Sequence, residues 1–424
     1  MITSGAFSGR AYHVLGLART GKSVVDALLA SGAAVAAWDD REEARAATPD
    51  EVEIVDPLDT DLSRFDALIV SPGVPLNTHP LAARAAESGV PVIGDIELFA
   101  QARAALPAHR VVGITGTNGK STTTALVHHA LDQAGIPARL GGNIGAPILS
   151  QAPLPDGGVY VLELSSYQID LTKSLACDVA ILLNITPDHL DRYDNHMEDY
   201  AAAKARLFAM QDADGVAVIT GRDRWSEDVD ANRAELFTGV AADQPQWPSL
   251  AGPHNLQNAV AAATALRTLG LAEEEILSGF RSFSGLAHRM ERLGEVAGVE
   301  YVNDSKATNA ESAAPALAAF RNIHWIIGGR AKSGDLSQCA PYFGRVKSAL
   351  LIGEAADLFR GSLQNELPLT ELCGTLEAAV CRAAELAVPG DTVLLSPACA
   401  SFDQFRDFEE RGERFRTLVG ELSG

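Results

Sequence analysis

Two glycine-rich segments run into Gly-Lys-Ser, and each has the residue types of a phosphate-binding turn. Gly16-Leu-Ala-Arg-Thr-Gly21-Lys22-Ser23 matches the G-x-x-x-x-G-K-[ST] pattern letter for letter. Gly113-Ile-Thr-Gly116-Thr117-Asn118-Gly119-Lys120-Ser121-Thr122 departs from it, with Ile114 where the first glycine belongs. In either, backbone N–H groups at a helix start would converge on phosphate oxygens, and the helix dipole would favour the negative charge. The lysine would reach the terminal phosphates and a hydroxyl would ligate magnesium. Phosphoryl transfer also needs acidic or imidazole groups at neighbouring strand ends to hold metal. Only the second loop has them. Val159-Tyr-Val-Leu-Glu163 ends a strand in a carboxylate, and Asn184-Ile-Thr-Pro-Asp188-His189-Leu-Asp191 comes after another strand. The first loop is followed by Trp38-Asp39-Asp40. An acid about 20 residues past a glycine turn is the pattern of ribose recognition. The second loop therefore reads as the ATP site. The first reads as a nucleotide- or diphosphate-binding turn without catalysis, with Lys22 an exposed lysine at a helix start.

A second chemical candidate is Lys204. The segment Met197-Glu-Asp-Tyr200-Ala201-Ala-Ala-Lys204-Ala-Arg-Leu-Phe208 is predicted to be helical from its alanines and its i, i+3, i+4 spacing. Its apolar stripe passes through position 204. Such a lysine either snorkels out along its stem or is buried and loses its proton. A neutral amine can add carbon dioxide, and the resulting carbamate is a metal-binding oxygen ligand.

The elements that must position these groups are short apolar runs alternating with Ala-rich helical stretches. Strands are predicted at Tyr12–Leu17, Ala33–Trp38, Ala67–Val70, Val111–Thr115, Val159–Leu164, Val179–Leu183, Gly215–Thr220, Ile323–Gly328, Ser348–Ile352 and Thr392–Ser396. Continuous apolar strands with helices between them indicate an α/β fold of parallel sheets covered on both faces. The 424 residues suit about three domains. The expected divisions are 1–98, 99–285 and 286–424. The first and last are expected to be Rossmann-like, and the central one a P-loop-type mononucleotide-binding domain.

The net charge of −21 argues against a nucleic-acid binder or a polybasic membrane-surface protein. No apolar run is long enough for a membrane span, and MITSGAFSGR carries no apolar signal core, so a cytoplasmic protein is expected. Cys177, Cys339, Cys373, Cys381 and Cys399 form no C-x-x-C pair. They read as small buried hydrophobes in a reducing compartment.

Taken in order, the motifs resemble the Mur ligases. They are Gly116–Thr122, Glu163-Leu-Ser-Ser166, Asp188-His189-Leu-Asp-Arg-Tyr193, Tyr200-Ala-Ala-Ala-Lys204 and Gly252-Pro-His254-Asn255-Leu-Gln-Asn258. Then come His288-Arg289-Met-Glu, Asn303-Asp304-Ser-Lys306-Ala-Thr308-Asn309 and Leu395–Gly412. The last two look specifically like the family member that takes D-glutamate. The resemblance spans essentially the whole chain.

It implies an ATP-dependent acid–amino-acid ligase of peptidoglycan precursor synthesis. Its small-molecule substrates would be UDP-N-acetylmuramoyl-L-alanine and D-glutamate, joined through an acyl phosphate, with two Mg2+ ions and no nucleic-acid or membrane partner. A monomer is expected. Gly116, Thr117, Asn118, Gly119, Lys120, Ser121 and Thr122 would cradle the phosphates. Asn255, Asn258, Arg289 and Asp304 would contact ATP. Ser121, Glu163, His189 and an N6-carboxylated Lys204 would hold the metals, so that Lys120, His189 and Lys204 carry the catalysis. D-glutamate would meet Thr308, Lys332, Ser401 and Phe408. The UDP substrate would meet Ala18, Arg19, Asp39, Asp40, Arg41, Ser71 and Gly73, with Asn143 nearer the sugar.

Each role has a structural alternative. Glu163 could be a capping or salt-bridged carboxylate, His189 a satisfied loop histidine, and Asn255 and Asn258 helix caps. Ser401 could be the N-cap of a helix Phe402–Gly420, and Phe408 a core residue. Asp223–Asp230 reads as solvated acidic surface. Arg222–Ala251 is short for the family, which implies an altered edge of the central domain. Competing functions are another ligase of the superfamily, for L-glutamate or of folylpolyglutamate type, and a non-catalytic nucleotide-binding scaffold.

Overall fold

The computed structural model describes residues 1–422. The chain divides into two compact units: Met1–Ala242 with Gln257–Arg281, and Asp243–Leu256 with Ser282–Gly424.

The first unit holds two parallel sheets. One consists of β1 (Ala11–Leu15), β2 (Ala34–Trp38), β3 (Glu53–Ile54), β4 (Ala67–Val70) and β5 (Val92–Ile93), in the order β3-β2-β1-β4-β5. The other consists of β6 (His109–Thr115), β7 (Ala138–Gly142), β8 (Gly158–Glu163), β9 (Val179–Leu182) and β10 (Val216–Ile219), in the order β10-β9-β6-β8-β7. The order reverses beside β1 and beside β6, which opens a crevice at the carboxyl ends of those strands. Both glycine loops come directly after these two strands. Fully buried β4, β8 and β9 read as continuous apolar runs because helices cover both faces. Residues 98 and 99 lie inside the helix Asp95–Ala102, where Leu98 and Phe99 are fully buried.

The second unit holds β11 (Glu291–Val296), β12 (Val299–Asn303), β13 (Ile323–Gly328), β14 (Val346–Ile352), β15 (Thr370–Gly374) and β16 (Thr392–Leu395), in the order β11-β12-β16-β13-β14-β15. Here the parallel expectation is corrected at one edge, because β11 pairs antiparallel with β12 as a hairpin.

All ten predicted strands are present within two residues at either end. Six were not predicted: β3, β5, β7, β11, β12 and β15. Five of these are sheet edges, and β12 is next to one. An edge strand buries less of itself and needs no apolar run. β7 reads Ala-Arg-Leu-Gly-Gly, and β3 and β5 have two residues each.

Two smaller readings are corrected, for the cysteines and for Asp223. Cys381 is exposed and Cys373 half-buried, so only Cys177, Cys339 and Cys399 are core residues. Asp223 is not simply solvated: its carboxylate caps a helical turn at Ser226 and also accepts from Ile185 N at 3.1 Å. Arg222–Ala251 is mostly short helical turns, with one parallel bridge between Ala217 and Arg233.

Candidate active site

The loop Gly116–Gly119 joins β6 to the helix Lys120–Gln133, so Lys120 is the first helical residue and Ser121 the second. Gly119 has φ +88°, and a Cβ there would lie 2.2 Å from the Asn258 side-chain oxygen. The turn therefore demands glycine twice over, for conformation and for close approach. The segment after β9 holds the loop from beneath. Thr117 N donates to Asn184 O at 2.8 Å, and Asn118 N to Asn184 Oδ1 at 2.9 Å. The Thr117 hydroxyl bonds Thr186 O at 3.0 Å and lies 3.1 Å from the Tyr200 hydroxyl. Lys120 Nζ folds back onto Gly116 O and Thr117 O at 2.9 and 2.8 Å. Phosphate oxygens would compete for the same ammonium.

Lys204 does not snorkel. It is 1% exposed in the helix Met197–Ala209, its Nζ donates to Gly116 O at 2.9 Å, and it lies 4.5 Å from the Tyr200 ring centroid. Burial drives its pKa well below the usual lysine value, and the nearby Lys120 charge adds to the fall. Asp188 and Asp170 oppose the shift. The helix thus delivers a deprotonatable amine to the back of the phosphate loop.

Glu163 ends β8, next to β6 in the sheet, and is 1% exposed. Its Oε1 accepts from Asn143 Nδ2 at 3.0 Å, and its Oε2 is buried with no hydrogen-bond partner among the described residues. Neither a cap nor an ion pair accounts for it. An orphaned carboxylate oxygen beside a phosphate loop fits a hard cation. Asn143 sits after β7 as the support of this carboxylate.

His189 lies beyond β9 with φ +53°, its side chain 46% exposed. Its ring meets the Tyr167 ring at 5.3 Å and lies 3.4 Å from the Asp188 carboxylate. Among the described residues no cluster of three His, Cys, Asp or Glu side chains forms a metal site by itself. Ser121 and Glu163 are oxygen-bearing side chains that a hard cation could use here.

The first glycine loop has a different geometry. Its helix already begins at Arg19, so Lys22 is the fourth helical residue and is exposed. A Cβ on Gly21 would fall 1.8 Å from Gly16 O, so this glycine serves close packing of the turn on the helix. Asp39 is already engaged within the chain while it lines the cavity beside this loop. Leu17 N donates to its Oδ2 at 2.7 Å, while Arg41 N and Nε donate to its Oδ1, both at 3.0 Å. Arg41 holds that carboxyl down at about 2. Ser71 Oγ donates to Gly16 O at 3.1 Å. A cavity of about 270 Å³ opens here, lined by Gly16, Asp39, Asp40, Gly73 and His79 among others. Ala18, Arg19 and Arg41 are exposed nearby in sequence.

In the second unit, Thr308, Lys332 and Ser401 come after β12, β13 and β16, three adjacent parallel strands. They share one carboxyl edge. Asp304 is buried, accepts from Met290 N and Ser396 Oγ, and has its carboxyl pushed up to about 7 by burial. Arg289 lies on the same turn as Met290 and is half-buried. Ser401 is buried, but it is not an N-cap of the last helix, which spans Phe408–Leu422. Residues 402–407 form turns, and the Ser401 carbonyl accepts from Gln404 N and Phe405 N. Asn255 and Asn258 are not caps either, because both lie inside the helix Pro253–Thr268.

Sequence reasoning missed four neighbours. Tyr200 backs Lys204. Lys306 Nζ lies 3.6 Å from the Phe408 ring centroid, and His288 meets that ring edge-on at 6.2 Å. Arg411 is 1% exposed and donates to Ser305 O and Cys399 O at 2.7 and 3.0 Å. Lys306 and Tyr200 stood inside motifs already singled out. His288 and Arg411 did too, but nothing in the sequence marked Arg411 as buried, since a charged residue on a C-terminal helix reads as surface.

The chain matches a Mur ligase MurD-like N-terminal domain over residues 10–94, a Mur ligase middle domain over 114–243 and a Mur ligase glutamate ligase domain over 288–399. It is 59% identical to a UDP-N-acetylmuramoylalanine--D-glutamate ligase of Novosphingobium aromaticivorans, over all of this chain and 97% of that one. The enzyme of the same name from Zymomonas mobilis is 51% identical over the whole of both chains. Among solved structures, a MurF ligase of Thermotoga maritima in complex with ADP has the same fold. Its TM-score is 0.60 at 17% identity, over 98% of this chain and 96% of that one.

Proposed function

Because the chain belongs to the Mur ligase family, we propose that it joins D-glutamate to the alanine carboxylate of UDP-N-acetylmuramoyl-L-alanine at the expense of ATP. The observation that carries the chemistry is the buried Lys204 amine set 2.9 Å from the carbonyl of the phosphate loop. A plain nucleotide-binding scaffold has no use for a second lysine buried against that loop.

A free carboxylate is a poor acyl donor. The γ-phosphoryl group of ATP is transferred to an alanine carboxylate oxygen, giving an acyl phosphate and ADP. The D-glutamate amine then attacks the acyl carbon, loses a proton, and phosphate leaves from the tetrahedral intermediate. Loop N–H groups and Lys120 hold the phosphates and spread their charge. Asn258 abuts the loop, and Asn255, Arg289 and Asp304 are proposed as further residues for ATP. Ser121, Glu163, His189 and an N6-carboxylated Lys204 would hold two Mg2+ ions, which offset the charge gathered between phosphates and carboxylate. Carboxylation suits Lys204 because burial lowers the pKa of the amine and its Nζ lies 2.9 Å from Gly116 O of the loop. Lys332, with the Thr308 and Ser401 hydroxyls, suits a dicarboxylate, and Phe408 closes its apolar side. The cavity beside Gly16, Asp40 and Gly73 would take the UDP moiety.

The working division is 1–98 for the UDP substrate, 99–285 for ATP and 286–424 for the amino acid, in a cytoplasmic monomer. No helix among the described residues is long and apolar enough to cross a membrane. The test is phosphate release from MgATP and UDP-N-acetylmuramoyl-L-alanine with D-glutamate, L-glutamate or no amino acid. Release that depends on D-glutamate is expected. Release with L-glutamate alone would overturn the substrate, and no release from folded, ATP-binding protein would overturn the ligase.

A further inference from the structure

We infer that Arg192 is a positioning residue that clamps the turn carrying Gly73 to the loop carrying His189, so that the two act on one bound substrate together. This rests on the proposal that Gly73 contacts the UDP substrate.

The turn at residues 72–77 comes after β4 in the first sheet, and the His189 loop after β9 in the second. Arg192 bridges them as a fork. Its Nη2 donates to Gly73 O at 2.8 Å and its Nη1 to Val74 O at 2.9 Å. Two parallel donors on two consecutive carbonyls suit a planar guanidinium, whereas an ammonium is a compact point charge. The guanidinium carbon also lies 4.5 Å from the Tyr167 ring centroid, and the Tyr167 ring meets His189 at 5.3 Å. From the other side Asn77 Nδ2 donates to Asp191 O at 3.0 Å.

Three observations favour positioning over plain structural support. First, Gly73 is exposed, so its carbonyl could be satisfied by water, and burial of polar groups does not require the arginine. Second, a cavity of about 220 Å³ lies beside the clamp, lined by Val74, Asn77, Tyr167, Asp170 and Arg192 among others. Close packing of this seam is therefore incomplete, and directed contacts fix the two loops. Third, His189, Asp194 and Asn195 have φ of +53°, +49° and +64°. A loop with three non-glycine residues in the left-handed region persists when its surroundings over-determine it. Within the loop, Arg192 N bonds back to His189 O at 3.0 Å, so the same residue fixes the loop from inside and anchors it outward. Binding at Gly73 and placement of His189 are then linked, and linkage acts in both directions.

The test uses the full chain with Arg192→Ala, Arg192→Lys and Asn77→Ala. Affinity for UDP-N-acetylmuramoyl-L-alanine is measured by calorimetry without ATP, and kcat and KM for it by phosphate release. Losing two charge-assisted hydrogen bonds is expected to weaken the UDP substrate and raise its KM about tenfold or more in Arg192→Ala. Affinity for Mg2+-free ATP, by the same calorimetry, should stay within about twofold while kcat falls because His189 is misplaced, a split that general loosening of the fold would not produce. Arg192→Lys should recover part of the loss, and exposed Asn77→Ala should move the same way by about threefold. Unchanged affinity for the UDP substrate in a normally melting Arg192→Ala would overturn the inference, as would equal losses of affinity for the UDP substrate and for Mg2+-free ATP. If Arg192→Ala does not fold, unchanged values in Asn77→Ala overturn it. Wild-type protein that fails to bind the UDP substrate would instead overturn the functional reading beneath it.

Discussion

Glu163→Gln separates the two roles open to that carboxylate. The side chain is 1% exposed, one oxygen accepts from Asn143 at 3.0 Å, and the other has no partner among the described residues. Glutamine keeps the shape and the acceptor but removes the charge. A buried polar atom without a partner costs about 1–3 kcal/mol, and more when charged. If the carboxylate exists to hold magnesium, the ligand-free variant should be at least as stable as wild type. The amide still leaves its Nε2 donors buried without a partner, so the gain is only what the charge adds to that cost, about 1 kcal/mol, or about 2–4 °C of Tm for a unit of this size. Ligand binding works the other way. At about a hundredfold excess over Kd, MgATP stabilises by about 2.7 kcal/mol. The variant should lose most of the magnesium-dependent part of that shift and nearly all phosphate release. Calorimetric melting with and without ATP, each with and without Mg2+, reads both effects on one sample. A variant that melts well below wild type without ligand, yet keeps the full MgATP shift, would refute the reasoning and make Glu163 a structural carboxylate.

Three further outcomes are expected. Lys204→Ala should lose activity and regain part of it with a short-chain carboxylic acid standing in for the carbamate; no rescue in a folded variant would count against the modification. Lys120→Ala should lose at least about a hundredfold in kcat/KM for ATP, whereas Lys22→Ala should stay within about twofold, both read by phosphate release. Asp304 has its carboxyl raised to about 7 by burial, against 3.8 as its unperturbed value. Between those two values the folded state holds a proton that the unfolded state has given up, so the contribution of this group to stability falls as pH rises from about 4 to about 7. Urea unfolding of Asp304→Asn should show a flatter stability slope across that window than wild type, and an unchanged slope would discount the buried acid.

The parts of the site that were legible in the sequence are those where chemistry forces a rare residue into a regular pattern. Lys204 interrupts an apolar helical stripe, and the structure buries it there. Glu163 ends a continuous apolar strand, which places a carboxylate at the sheet's carboxyl edge. What was hidden depends on partners distant in sequence. Asp39 has the spacing of a ribose-binding acid, and only the fold shows that Arg41 and Leu17 N also hold it in place. Ser401 precedes a stretch with helical composition, but its carbonyl closes a turn and the helix starts at Phe408. Arg411 looks like surface until Ser305 and Cys399 are folded around it. Edge strands such as β7 and β11 escaped because they lack the two-sided burial that writes an apolar run into the chain.

The two glycine loops show why a letter pattern is a weaker warrant than the geometry it stands for. Both come after the strand at which a sheet reverses its order, and both precede a helix. In the loop that matches the pattern, the helix starts three residues before the lysine, so the ammonium is carried to the exposed flank of the helix. Its second glycine is used against Gly16 O, closing the turn on itself. In the loop that breaks the pattern, the helix starts at the lysine, and the amine turns back over the carbonyls of the turn. The missing first glycine does no harm, because Ile114 is still in β6 and fully buried in its sheet. A phosphate site is thus fixed by where the helix begins relative to the lysine, and by the orphaned acid and buried amine at the neighbouring elements. Moving the helix start by a few residues leaves the same letters with their lysine turned to solvent.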